Sequence, residues 1–229
     1  MNQGAQVLST AGGALAAQRN RVLRNTYWLL ALSMVPTVLG AWVGVQTGIA
    51  AAMSPGIGLV VFLAGAFGFM FAIEKNKNSA AGVPLLLAFT FFMGLMLSRL
   101  LGVVLGLNNG TGLIMTAFAG TGVIFFGMAA MSSVVKRDLS QMGKFLFIGM
   151  VMLLVAMIAN FFIQSSALMI TLSVLAIGIF SAFILHDLKR VQDGEETNYI
   201  TATLGVYLSL YNVFSNLLAL LGIFGGERE

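Results

Sequence analysis

The chain has no cysteine and a single histidine. The first absence removes disulfides and thiolate metal sites; the second leaves too few imidazoles for an ordinary zinc enzyme. Charge is scarce too, with Asp, Glu, Lys and Arg making up 9% of 229 residues. With 59% hydrophobic residues and a mean hydropathy of +0.95, a water-soluble fold could not hide its apolar surface. The composition therefore specifies an integral membrane protein, with the lipid bilayer as its first partner. The formal charge of +4 lies at the ends of apolar segments and forms no continuous patch, which argues against a nucleic-acid partner. Abundant glycine (27) and methionine (14) suit helices that approach closely around irregular gaps.

Seven apolar segments read as spans, at residues 27–45, 56–73, 83–107, 111–135, 145–163, 167–185 and 202–224. At about 1.5 Å per residue, each covers most or all of a hydrocarbon layer roughly 30 Å thick. Sustained alternation is missing, and several segments are too long for barrel strands, so the expected fold class is an all-α seven-transmembrane-helix bundle. A cleaved signal peptide competes for the first segment, but its apolar core is too long and its polar leader too extended. Residues 1–26 are Ala/Gly-rich, carry Arg19, Arg21 and Arg24 without an acid, and read as a flexible cytoplasmic tail; residues 27–229 read as one transmembrane domain. Connections as short as 108–110 and 164–166 predict that consecutive helices are antiparallel neighbours. Counting the tail arginines, ten basic residues fall on one side, in the tail and alternate loops, while the other loops hold no charge. This bias predicts a cytoplasmic amino terminus and an external carboxyl terminus.

Candidate chemistry gathers in residues 186–224. Gly205, Ser209, Asn212 and Asn216 recur at spacings of 4, 3 and 4 on the last span, with Tyr207 and Tyr211 one turn apart. Such a stripe turns toward protein or water; it serves either as interhelical glue or as the lining of an ion path. Asp187 stands at the inner end of span six, where the helix C-terminus and burial both disfavour its charge. Its alternatives are a proton-sensing acid and a solvated boundary acid paired with Arg190 at i+3. His186 is its companion in proton exchange or a hydrated interfacial residue, and Glu74 joins them only if the fold brings the inner ends of spans two and six together. Arg99, in MLSRLLGVVLG, is the one charge well inside a span. It either snorkels outward or holds an anion or a carbonyl in an outer cavity. A phosphate loop, a paired-histidine motif and a nucleophile elbow are all missing from the sequence, so no enzyme and no cofactor are expected.

Three runs carry a family resemblance: NTYWLL at residues 25–30, ETNYITAT at 196–203 and YLSLYNVFSNLLALLG at 207–222. They resemble the bacterial YccA-like branch of the Bax inhibitor family, the transmembrane Bax inhibitor motif proteins. The resemblance implies a bundle with the last helix central between two layers of three, in the bacterial inner membrane. It further implies a pH-sensitive calcium leak channel in which an aspartate of helix six shares a proton with one of helix seven. Calcium would then be the permeant ion, with Asp187 a transient calcium contact. Asp187 in LHDLKRV matches the first aspartate; the second falls on Ser209, where the acid is missing. Like-charge coupling cannot operate across that pair. The family's Gly-Pro or Ser-Pro step in helix three is replaced by Ser98 and Arg99, which makes an outer cavity less welcoming to calcium. The same branch is similar in restraining a membrane-anchored ATP-dependent AAA protease, with the amino-terminal tail taking part, and this is the alternative function. A monomer is expected. An ordinary solute transporter is a weaker third reading, since paired repeats and broken helices are not evident.

Overall fold

The computed structural model describes residues 3–139 and 141–226. Those residues form α1 (Gln3–Thr47), α2 (Ile49–Ala52), α3 (Pro55–Asn76), α4 (Gly82–Leu105), α5 (Gly110–Val134), α6 (Met142–Ile163), α7 (Ser166–Asp193) and α8 (Tyr199–Gly226). No strand occurs among them. Every helix except the single turn α2 is long and apolar enough to cross a membrane, which makes seven candidate spans in an all-α bundle.

Several boundaries follow from cap chemistry. Pro55 opens α3, where its missing N–H costs nothing. The Ser165 hydroxyl accepts from the Leu168 N–H at 3.3 Å to start α7, and Gly194, at φ 82°, ends it in the left-handed region. Other boundaries differ from those expected. α7 continues through His186–Asp193 instead of stopping at residue 185, because its charged last turns still pack against neighbours, with Leu188 and Val191 fully buried. α1 begins at Gln3, far upstream of Tyr27, in a stretch rich in the good helix formers Ala, Leu, Gln and Arg. Val22 is buried against Val191 and Ala202, so the packed part of the chain reaches into residues 1–26.

The main core joins α1, α3, α4, α7 and α8 through residues such as Leu30, Ile73, Phe89, Ile184, Val206 and Tyr207. α1 and α4 form the most extensive interface, and their backbones nearly touch: a Cβ on Gly94 would collide with the Thr37 carbonyl, and one on Gly40 with the Phe91 carbonyl. Glycine is what permits that approach. α8 packs on α1, α4, α5 and α7. The rule that consecutive helices are neighbours holds across the short connections between α4 and α5 and between α6 and α7. It fails for α6, which packs on α7 but forms no comparable interface with α5, since residues 135–141 are long enough to carry the chain away.

The ends that carry the basic loops are fastened together. Asn198 Nδ2 donates to the Lys77 carbonyl at 3.0 Å and to Asn78 Oδ1 at 2.8 Å, tying the α3–α4 turn to the α7–α8 loop. Gln192 Nε2 donates to Ser132 Oγ at 2.8 Å, tying α7 to the end of α5. The Arg19 guanidinium lies against Gly194. The residues behind the charge bias thus occupy one end of the bundle.

Candidate functional site

The site is built where the last turns of α7 meet the first turns of α8. His186 and Asp187 are adjacent and so leave α7 in different directions. Asp187 turns to α8, and a Cβ on Gly205 would stand 2.8 Å from its Oδ2. His186 turns to the first turn of α6, with Nε2 2.7 Å from the position a Gly143 Cβ would take. Between them, His186 Nδ1 and Asp187 Oδ1 are 3.4 Å apart, a long contact with both side chains largely buried (9% and 17% exposed).

The i+3 pairing of Asp187 with Arg190 does not form. Arg190 instead reaches Glu195 at 3.7 Å and Glu196 at 4.0 Å, because Gly194 turns the chain back and brings those acids under the helix end. Lys189 pairs with Asp193 at 2.7 Å. Asp187 keeps its long contact with His186 and lies against α8 at Gly205. Glu74 is engaged elsewhere: it accepts from Lys77 Nζ at 2.5 Å at the end of α3, and this hydrogen bond raises the lysine's proton affinity.

On α8, Ser209 is buried one turn beyond Gly205. Asn212 and Asn216 spend their amide donors on their own helix, at 2.8 Å to the carbonyls of Leu208 and Asn212 respectively. Among the described residues neither amide nitrogen bonds to another helix. At about 100° per residue, Tyr207 lies on the face opposite Gly205 and Ser209. It is 1% exposed and donates a 2.9 Å hydrogen bond to Thr37 Oγ1 of α1, whose own hydroxyl donates to the Ser33 carbonyl, while its oxygen lies 3.4 Å from the Thr90 carbonyl of α4. Its ring meets Phe89 edge-on at 6.0 Å, with Tyr211 at 6.4 Å. The two tyrosines belong to an anchoring face, and the Gly205–Ser209 face belongs to α7. Arg99 is exposed and donates to the Met53 carbonyl at 3.4 Å, so the partner it finds is a backbone oxygen.

Three contributors escaped the sequence reading. Asn198 caps α8, its Oδ1 accepting from the N–H groups of Ile200 at 2.9 Å and Thr201 at 3.3 Å, in addition to its bonds to the α3–α4 turn. An Asn directly before a helical run was the available signal. Thr37 and Thr90 carried no signal, since a threonine in an apolar helix usually bonds its own backbone. Among the described residues no three His, Cys, Asp or Glu side chains cluster as metal ligands.

Residues 19–226 match the family profile described as Bax1-I, Inhibitor of apoptosis-promoting Bax1. The protein named Modulator of FtsH protease YccA, from Escherichia coli K12, is 38% identical over 203 residues, 89% of this chain and 90% of its own length. An uncharacterized protein of Pseudomonas aeruginosa is 39% identical over 216 residues, covering 93% and 95%. An uncharacterized membrane protein of Vibrio cholerae is 37% identical over 210 residues, 92% of each. The donor set offers no metal cluster among the described residues, and the sequence holds no thiol.

Proposed function

Since the chain belongs to the Bax inhibitor family, we propose that it modulates a membrane-anchored, ATP-dependent AAA protease in the bacterial inner membrane. The observation that carries this reading is the end-to-end likeness to a relative named as such a modulator, 38% identical over 90% of that relative's length. It is a multi-pass inner-membrane protein. On this reading the fastened, base-rich end of the bundle faces the cytoplasm and α8 is its central helix, so the first turns of α1, residues 3–18, reach toward a protease on that side. Regulation of this kind needs no catalytic group, which suits a site built from one carboxylate, amides and hydroxyls.

The test is co-expression with the host's membrane AAA protease, following capture of the protease on the tagged chain and the half-life of a membrane substrate. Capture and a lengthened half-life are expected, both weakened by removal of residues 1–18. Unchanged substrate decay together with no capture would sink the reading.

A second reading, a pH-sensitive calcium leak, is favoured by one specific contact: Asp187 presses on the polar face of α8 at Gly205, one turn from Ser209. With one acid where the family pattern has two, native flux would be only weakly proton-gated. Ser209→Asp would put a second carboxylate about 6 Å along α8 from Gly205, close enough to Asp187 to oppose simultaneous ionisation. Calcium uptake into liposomes should then depend more steeply on pH in Ser209→Asp than in the native protein, and the added steepness should vanish with Asp187→Asn. Identical profiles in all three would exclude coupling between the positions.

A further inference from the structure

At the same end of the bundle, on the outer side of α7, an open cleft of about 530 Å³ lies between the first turns of α6 and the last turns of α7. Its polar lining is Lys144 from α6, His186 and Arg190 from α7, and Glu195, whose carboxylate is held 3.7 Å from Arg190. Its remaining wall is apolar: Phe147 and Ile148, 58% and 55% exposed, continue from the cleft along the lipid-facing side of α6. We infer that this cleft binds the phosphodiester headgroup of an anionic phospholipid, with an acyl chain laid along Phe147 and Ile148.

Three features point to this ligand. Lys144 is exposed and makes no ion pair among the described residues, so its ammonium is available. Arg190 keeps donors in hand, because its contacts with Glu195 and Glu196 are long and its side chain is 40% exposed. His186 is the third: its side chain is only 9% exposed, its one polar contact among the described residues is through Nδ1, and its Nε2 lies beside Gly143 in the lining. The positive end of α6 opens onto the same space. Two cations, a ring nitrogen and a helix start beside an apolar wall suit a headgroup joined to a chain better than a free anion, which has no use for the wall. Basic pockets between helices at a cytoplasmic membrane surface take such lipids. Asp187, on the other side of α7 against Gly205, does not line the cleft, though His186 touches both, and the placement at a cytoplasmic surface rests on the orientation proposed above.

The experiment is native mass spectrometry of the detergent-purified full chain, titrated with phosphatidylglycerol or with phosphatidylcholine of the same acyl chains. Phosphatidylglycerol should be retained in preference. Lys144→Gln should weaken it roughly fivefold, the factor for one basic residue near an anionic surface, and Lys144→Arg should restore it. Lys136→Gln, an equal loss of charge outside the cleft, should leave binding unchanged, and melting followed by circular dichroism separates lost affinity from lost fold. Equal retention of both lipids, or an equal loss with Lys136→Gln, would overturn the site. Displacement of the lipid by millimolar inorganic phosphate would reassign it to a free anion.

Discussion

Gly205→Ala tests the contact at the centre of the candidate site, because two opposed effects of known size meet there. In a helix interior, alanine is favoured over glycine by about 1 kcal/mol. Against this, the new Cβ would stand 2.8 Å from Asp187 Oδ2, where ordinary contact begins at 3.4 Å, so the carboxylate or the helix must retreat by about 0.6 Å. Overpacking of this kind costs about 1–3 kcal/mol. The crowding should therefore cancel or exceed the propensity gain, leaving Gly205→Ala neutral to about 2 kcal/mol less stable. In an Asp187→Ala background the obstacle is gone and the same substitution should stabilise by up to about 1 kcal/mol. The assay is the four-protein cycle, each unfolded by SDS in mixed micelles and followed by circular dichroism. A coupling of about 1–3 kcal/mol is expected. If Gly205→Ala has the same effect in both backgrounds, Asp187 does not press on α8 and the site geometry is wrong.

Tyr207→Phe should cost only about 0.6–1 kcal/mol, since the Thr37 hydroxyl still donates to the Ser33 carbonyl at 2.8 Å and nothing buried is orphaned. Tyr207→Ala should cost about 3–5 kcal/mol in the same unfolding assay, because a ring that is 1% exposed leaves a cavity beside Phe89. Asn198→Ala should cost about 1–2 kcal/mol, and hydrogen exchange should quicken both in the first turn of α8 and around Lys77, the two places its side chain holds. Reporters fused before Arg19 should lie inside and those after Glu229 outside; both termini on one side would refute an odd number of spans.

The seven helices were legible in the sequence because lipid makes each span an unbroken apolar run, and the basic residues collect at one end because charge belongs outside that run. Helix ends were less legible. Lys189, Arg190 and Asp193 look like loop by composition, yet α7 carries them because Leu188 and Val191 on its other side are fully buried. The same charges misled the pairing of Asp187: i+3 spacing proposes Arg190, but the turn at Gly194 presents Glu195 and Glu196 to it instead. Hydropathy says nothing about a turn's return path. The polar stripe of α8 was legible as a stripe, but not that Asn212 and Asn216 would give their amide donors to their own helix.

The division of α8 into two faces sets which of its contacts can change at least cost. On the Tyr207 face, α8 is fastened to α1 by the hydrogen bond between buried Tyr207 and Thr37, and buried Thr203, whose hydroxyl donates to the Tyr199 carbonyl of its own helix at 2.6 Å, rests its Oγ1 3.3 Å from the Thr26 carbonyl. Breaking that bond inside lipid leaves polar groups without water to replace it. On the Gly205 face, no hydrogen bond joins Asp187 to α8 among the described residues, and the contact is a carboxylate against a bare backbone. A shift of α7 relative to α8 sacrifices only van der Waals contact there. It strains the α7–α8 loop, where Asn198 and Gln192 tie the two helices to the α3–α4 turn and to α5. Any signal from the base-rich end, whether a proton on Asp187 or a protein docked on the loops, therefore reaches the bundle most easily as movement of α7 against a fixed α8.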